Sequence, residues 1–172
     1  TVARVFPKII ESFPDACTVE NNQSEWLELT SELGFPSRFE QFFNSCRVIC
    51  KEYGGNIPAD PKILRSLPGV GHYITDAIMC FGMNENRYVV DTNTLRLGSR
   101  LTGWHVEQER HRSREAREMH EKAFGPENEM NAERNFALLD LAALVCTGTR
   151  PKCSECPLSV ACDYYKTQQE PG

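Results

Sequence analysis

The sequence predicts an all-α protein of 172 residues, a length that suits one domain or two small lobes sharing a crevice. Three observations carry this expectation. Apolar residues recur at three- and four-residue spacing almost throughout, and no long stretch alternates as a half-buried strand does. Signals that start and stop helices, such as Asp60-Pro61, Asp91-Thr92, Gly34, Gly54-Gly55 and Gly103, fall between those runs. Four cysteines within 17 residues then follow the last apolar run and mark a metal-bound loop.

The elements follow in order. Val5, Ile9, Ile10 and Phe13 share one face of a first helix. Ser24 caps a second helix carrying Trp26, Leu27, Leu29 and Leu33, which Gly34 ends. Phe35-Pro36 opens a third, with Phe39, Phe42, Phe43, Cys46, Ile49 and Cys50 facing inward. Asp60 caps a short helix over 61–67 with proline at its first position. Pro68-Gly69-Val70-Gly71 then leads into a helix over 72–82. Asp91 or Thr92 caps the next helix, which ends at Gly103. A charged helix covers 107–124, where His105, His111 and His120 read as a solvated surface. The last helix, 132–146, is apolar nearly all round and is expected to be buried.

Composition excludes several classes. No apolar run approaches a membrane span, and the first ten residues carry Arg4, Pro7 and Lys8, unlike a secretory leader. The net charge of −5 argues against a broad basic footprint for nucleic acid. The charge is uneven, however: 60–104 is net +1 and 146–172 is neutral, and these segments hold the motifs.

Eight cysteines divide into two sets. Cys17, Cys46, Cys50 and Cys80 are scattered through apolar helical sequence and are expected to pack as free thiols. Cys146, Cys153, Cys156 and Cys162 follow the spacing C-x6-C-x2-C-x5-C, which suits a metal. Spacing alone leaves zinc and an iron–sulfur cluster open, the wider gaps favouring the larger group. In the Pro68–Gly71 turn, two glycines allow a close backbone approach, and the start of the following helix offers N–H groups to an anion such as a DNA phosphate. A plain helix–helix turn would have the same sequence.

L-P-G-V-G before a helix, V-V-D-T-N-T-L-R some 20 residues on, and D-L-A-A-L-V-C joined to the four-cysteine loop together resemble one family. It is the helix-hairpin-helix DNA glycosylases of the endonuclease III, adenine glycosylase and mismatch thymine glycosylase branch. The resemblance covers roughly 2–165. It implies a helical barrel lobe plus an iron–sulfur cluster lobe. The expected boundaries are 1–104 for the first lobe with its hairpin at 61–82, 105–145 for helices of the second, 146–162 for the cluster loop and 163–172 for a tail. A [4Fe–4S] cluster on Cys146, Cys153, Cys156 and Cys162 is implied.

The resemblance also implies roles. Asp91 matches the catalytic aspartate, which stabilises the oxocarbenium-like sugar formed as an N-glycosidic bond breaks. Tyr73 stands where bifunctional members carry the lysine that forms a Schiff base, so a monofunctional enzyme is implied, and tyrosine there resembles the mismatch thymine glycosylases. Tyr73 could also line the pocket of a flipped base. Pro68, Gly69, Val70, Gly71 and His72 of the hairpin, with Arg150 and Lys152 of the cluster loop, are implied DNA contacts. Arg96 and Arg100 are further candidates for phosphate. Two features depart from the family: Ala142 replaces a usual glycine, and Thr1 falls where members are already in their second helix, as though a front segment that lines the base pocket were missing.

The function expected is base excision repair: a monofunctional glycosylase that flips a mispaired base from duplex DNA, thymine or uracil opposite guanine first. Adenine opposite guanine or oxidised guanine is the alternative, and a non-catalytic DNA-binding iron–sulfur module is the rival from another class. A monomer is expected, without membrane association, cytoplasmic at the nucleoid or nuclear according to the source.

Overall fold

The computed structural model describes residues 1–107 and 113–169. Helices make up the regular structure, with no strand among the described residues. The chain divides into two compact units, Thr1–Gly71 and His72–Gly172. This division falls inside the expected hairpin, whereas the sequence suggested boundaries at 104, 145 and 162.

The first unit contains α1 (Val2–Ser12), α2 (Ala16–Asn21), α3 (Gln23–Ser31), α4 (Pro36–Tyr53) and α5 (Pro61–Ser66). Phe13, Val19, Trp26, Phe43 and Cys46 form its core. Trp26 anchors that core, edge-on to Phe13 at 5.4 Å and stacked on Phe42 at 5.0 Å. Val5 of α1 and Phe13 just after it are buried but Ile10 is exposed, because one residue after Ile9 the helix has turned about 100° away. Ser24 lies inside α3, and the cap position belongs to Asn22. Asp15 caps α2, a helix the sequence did not suggest, by accepting the Thr18 amide. Asp60 caps α5 as expected, accepting the amides of Lys62 and Ile63.

Two of the four scattered cysteines are not free. Cys17 on α2 and Cys50 on α4 form a disulfide, with Cα atoms 4.9 Å apart. They meet because α2 packs along α4, a contact between elements that no sequence spacing announces. Cys46 and Cys80 remain buried free thiols. Replacing both Cys17 and Cys50 with alanine is expected to cost about 2–4 kcal/mol, since the bridge closes a loop of 33 residues. Thermal unfolding of the variant checks this, and an unchanged midpoint would show that the bridge adds nothing.

The second unit contains α6 (His72–Ala77), which continues as a π-helical turn over Ile78–Gly82, then α7 (Thr92–Thr102), α8 (Arg114–Phe124), α9 (Ala132–Asp140) and α10 (Asp163–Gln169). A second π-helical turn, Leu141–Val145, extends α9. The expected helix over 107–124 starts at Arg114, and 108–112 lie outside the described residues, His111 among them. Leu95, Val106, Ala116 and Met119 form one core cluster, and Leu97, Ala142 and Cys146 another. Gly98 lets α7 approach α8, since a Cβ there would meet the Met119 sulfur at 2.4 Å. The last apolar helix is not buried all round. Ala142 and Asn135 are fully covered, but Phe136 and Leu144 are 53% and 63% exposed, because only one side of α9 packs within this unit.

Candidate active site

The site is assembled on the second unit around Asp91. The segment before it, 87–90, is extended yet belongs to no sheet, so its polar groups need other partners. Asn135 of α9 supplies most of them. Its Oδ1 accepts the Val89 amide at 3.0 Å, and its Nδ2 donates to the Arg87 carbonyl at 2.8 Å. The Arg87 amide donates to the Met130 carbonyl at 2.9 Å. Tyr88, Val90 and Met130 pack together beneath. The chain is thereby delivered, fixed, to the start of α7.

Asp91 is the N-cap of α7, and both carboxylate oxygens are engaged. Oδ1 accepts the amides of Asn93 and Thr94 at 2.9 and 2.7 Å, and Oδ2 accepts Asn93 Nδ2 at 2.7 Å. The Thr94 hydroxyl in turn accepts the Asp91 amide at 3.0 Å, which completes a capping box. Three donors fix the direction of the negative charge, while the half-buried side chain keeps access to solvent. A carboxylate held this way can face a developing positive charge without reorganising.

Tyr73 sits on α6 in the same unit and is 37% exposed. Burial pushes its phenol above the ordinary value, and the charge of Asp91 pushes it the same way, so the two side chains sense each other. One turn after Tyr73, Asp76 anchors α6. Its carboxylate accepts Arg117 Nη2 at 2.9 Å and lies 3.8 Å from Arg87. Burial raises the Asp76 carboxyl, and the two arginines pull it back down.

The hairpin turn is ordered from the first unit. Ser45 Oγ donates to the Pro68 carbonyl at 2.6 Å, and the Val70 amide donates to the Leu67 carbonyl at 3.1 Å. Gly69 has a left-handed φ of +73°, and a Cβ there would meet Gln41 at 2.7 Å. Nothing lies within 4 Å of where a Gly71 Cβ would stand. His72, Arg150 and Lys152 are exposed.

The four C-terminal cysteines line one small pocket, partly open to solvent, with Leu97, Leu158, Tyr164 and Tyr165 among its other walls. Burial pushes the Cys153 thiol up, and so do the thiols of Cys146, Cys162 and Cys156, while Arg100 opposes them. The four sulfur groups are therefore near neighbours. No three described His, Cys, Asp or Glu side chains converge as a single ion requires.

Arg96 and Arg100 do not face outward as expected for phosphate contacts. Arg96 donates to the carbonyls of Ala142 and Cys146 at 2.8 and 3.1 Å and to Asn93 Oδ1 at 3.1 Å. Arg100 donates to the Thr147 and Gly148 carbonyls at 2.7 and 2.8 Å and approaches Cys146 Sγ at 3.4 Å. Its guanidinium also lies 4.8 Å over the Tyr164 ring. The carbonyls at the end of the α9 extension lack helical partners, and the arginines supply them. The signal was available: Asn93, Arg96 and Arg100 recur at three- and four-residue spacing on one face of α7. His120 also departs from expectation. It is 2% exposed, inside the unit and not on a charged surface, whereas His105 is exposed.

No protein-family model matches the chain. It is 32% identical over 145 residues to a thymine/uracil-DNA glycosylase of Methanothermobacter thermautotrophicus, covering 84% of this chain and 65% of that one. It is 31% identical over 159 residues to an adenine DNA glycosylase of Mycobacterium tuberculosis, covering 91% of this chain and 52% of that one. The chain thus spans about half to two thirds of these relatives' lengths. The fold matches the solved structure of a thermostable thymine-DNA glycosylase with a TM-score of 0.83 and 28% identity, over 96% of this chain and 76% of the other.

Proposed function

The chain belongs to the helix-hairpin-helix DNA glycosylase superfamily, and we propose that it is a monofunctional DNA glycosylase of base excision repair. The observation that carries this is the Asp91 carboxylate, fixed by three donors and within electrostatic reach of Tyr73. Breaking the N-glycosidic bond leaves positive charge on the sugar. Asp91 stabilises that charge and orients the water that attacks it. Tyr73 has no amine to form a Schiff base, so the product is an abasic site and the strand stays whole.

The proposed DNA contacts are Pro68, Gly69, Val70, Gly71 and His72 of the hairpin, with Arg150 and Lys152 of the cysteine loop. The open face at Gly71 and the exposure of His72, Arg150 and Lys152 support them. The substrate proposed is thymine or uracil opposite guanine, supported by the names of the archaeal relative and of the solved glycosylase structure. Adenine is the second reading, supported by the similarity to an adenine DNA glycosylase.

Cys146, Cys153, Cys156 and Cys162 would hold a [4Fe–4S] cluster. Four thiols lining one pocket, at the wide spacing C-x6-C-x2-C-x5-C, fit the larger group better than zinc. When bound, the cluster would supply four iron–thiolate bonds that staple the loop from Cys146 to Cys162. Arg100 beside Cys146 offsets part of the negative charge collected there.

The test uses iron-loaded chain and end-labelled duplexes containing G:T, G:U, or adenine opposite oxidised guanine. Strand breaks only after hot alkali are expected, in the G:T and G:U duplexes. Breaks without alkali would overturn the monofunctional reading, and breaks only at adenine would favour the second substrate. Binding with no break in any duplex would leave a DNA-binding module.

A further inference from the structure

We propose that His120 is a positioning residue for Asp91, acting through the Thr94 hydroxyl, an inference that rests on the glycosylase reading of Asp91. His120 lies on α8, buried between α7 and the segment carrying Tyr88. Its Nδ1 is 2.8 Å from the Ala116 carbonyl. A carbonyl only accepts, so Nδ1 carries the proton, and in a neutral ring Nε2 is then an acceptor. Nε2 is 3.3 Å from Thr94 Oγ1.

The hydroxyl of Thr94 has one proton to give. It lies 3.2 Å from the Asp91 carbonyl, which could take a second bond but is already satisfied by the Leu95 amide at 2.9 Å. Among the described residues Nε2 has no other partner. An unmet acceptor in a buried site is costly, so the proton belongs to His120. The Thr94 oxygen is then left to accept the Asp91 amide at 3.0 Å. The order Asp91 N–H to Thr94 hydroxyl to His120 Nε2 is fixed in one direction by the Ala116 carbonyl behind it.

The surroundings keep the ring neutral. Burial lowers the His120 pKa to about 4; the Ala116 hydrogen bond and the charge of Asp91 raise it, and the nearby charge of Arg117 adds to the lowering. Tyr88 and Phe124 meet the ring edge-on at 5.9 and 5.4 Å. Thr94 therefore holds Asp91 at two points, its amide on the carboxylate and its hydroxyl on the backbone, and His120 sets the second.

The full iron-loaded chain is compared with His120→Leu, His120→Gln, Thr94→Val and the double variant His120→Leu/Thr94→Val. Single-turnover excision, duplex affinity and solvent exchange of the Asp91 amide proton by NMR are measured. His120→Leu is expected to slow excision about 10- to 100-fold with affinity within about 2-fold of wild type. Glutamine places an amide oxygen near the Nε2 position and should recover most of the rate. The double variant should be no slower than Thr94→Val. Asp91 amide exchange should rise in the leucine and valine variants and stay low with glutamine. Equal losses of rate and affinity, glutamine as slow as leucine, or multiplied losses would overturn the proposal. If His120→Leu does not fold, the glutamine and valine variants decide. If wild type excises nothing, the glycosylase reading falls, and unchanged Asp91 exchange in the variants would separately sink the relay.

Discussion

Asp91→Asn is expected to lower base excision by at least about 10²- to 10³-fold, while duplex binding and thermal stability stay close to wild type. Two roles of this residue are separable because asparagine keeps one of them. As an N-cap, asparagine is about as good as aspartate. Its side-chain oxygen can still accept the amides of Asn93 and Thr94, so α7 should start at the same place. What is lost is the negative charge. An amide nitrogen in place of Oδ2 would also point its N–H groups toward Asn93 Nδ2, a donor that now has nothing to give to. Single-turnover excision and duplex affinity, measured on one preparation, check the split. An asparagine variant that excises at the wild-type rate would remove Asp91 from the chemistry and leave it a cap. A variant that also unfolds early would show that the cap depends on charge.

Much of this site was legible because its residues announce themselves locally. Asp91 stands where an extended run meets a helical one, and an aspartate there is a cap whatever else it does. The four C-terminal cysteines are close in sequence, so lining one pocket with all of them needs only a short loop. Gly69 is needed both for its positive φ and for the space that Gln41 takes, and either requirement would leave a glycine in the sequence. Residues whose partners are distant in sequence were harder to read. The Cys17–Cys50 bridge depends on how α2 lies on α4. Arg96 and Arg100 carry the charge of phosphate binders, yet spend it on carbonyls some 46 to 50 residues away. The burial expected of α9 failed for a related reason: composition shows that a helix is apolar, not which of its faces finds a neighbour.

His120 was misread because acidic and basic residues surround it in sequence. The stripe Ala116, Met119, His120, Ala123 and Phe124 nevertheless has helical spacing and turns the histidine inward. That burial makes acid sensitivity the second large effect expected. Unfolded, His120 titrates near its ordinary 6.5; folded, near 4. Between these values the unfolded chain binds the extra proton, so stability rises with pH and is lost as pH falls. The loss begins below about pH 6.5, is complete near pH 4, and amounts to about 3 kcal/mol, since each pKa unit is worth about 1.4 kcal/mol. Asp76 works against this at the acid end, because its raised carboxyl lets the folded state take up a proton before the unfolded one does. Other carboxylates titrate in the same range, so the total slope does not isolate the histidine. The difference between wild type and His120→Gln does. Denaturant unfolding of both at pH 7, 5.5 and 4.5 should show wild type losing stability faster, by about 2.5 kcal/mol at pH 4.5. Protonating the ring also turns Nε2 into a donor, and the Thr94 hydroxyl then has no acceptor at that end. Parallel stability curves would mean that His120 is solvated and charged, and would remove the physical basis for its hold on Thr94.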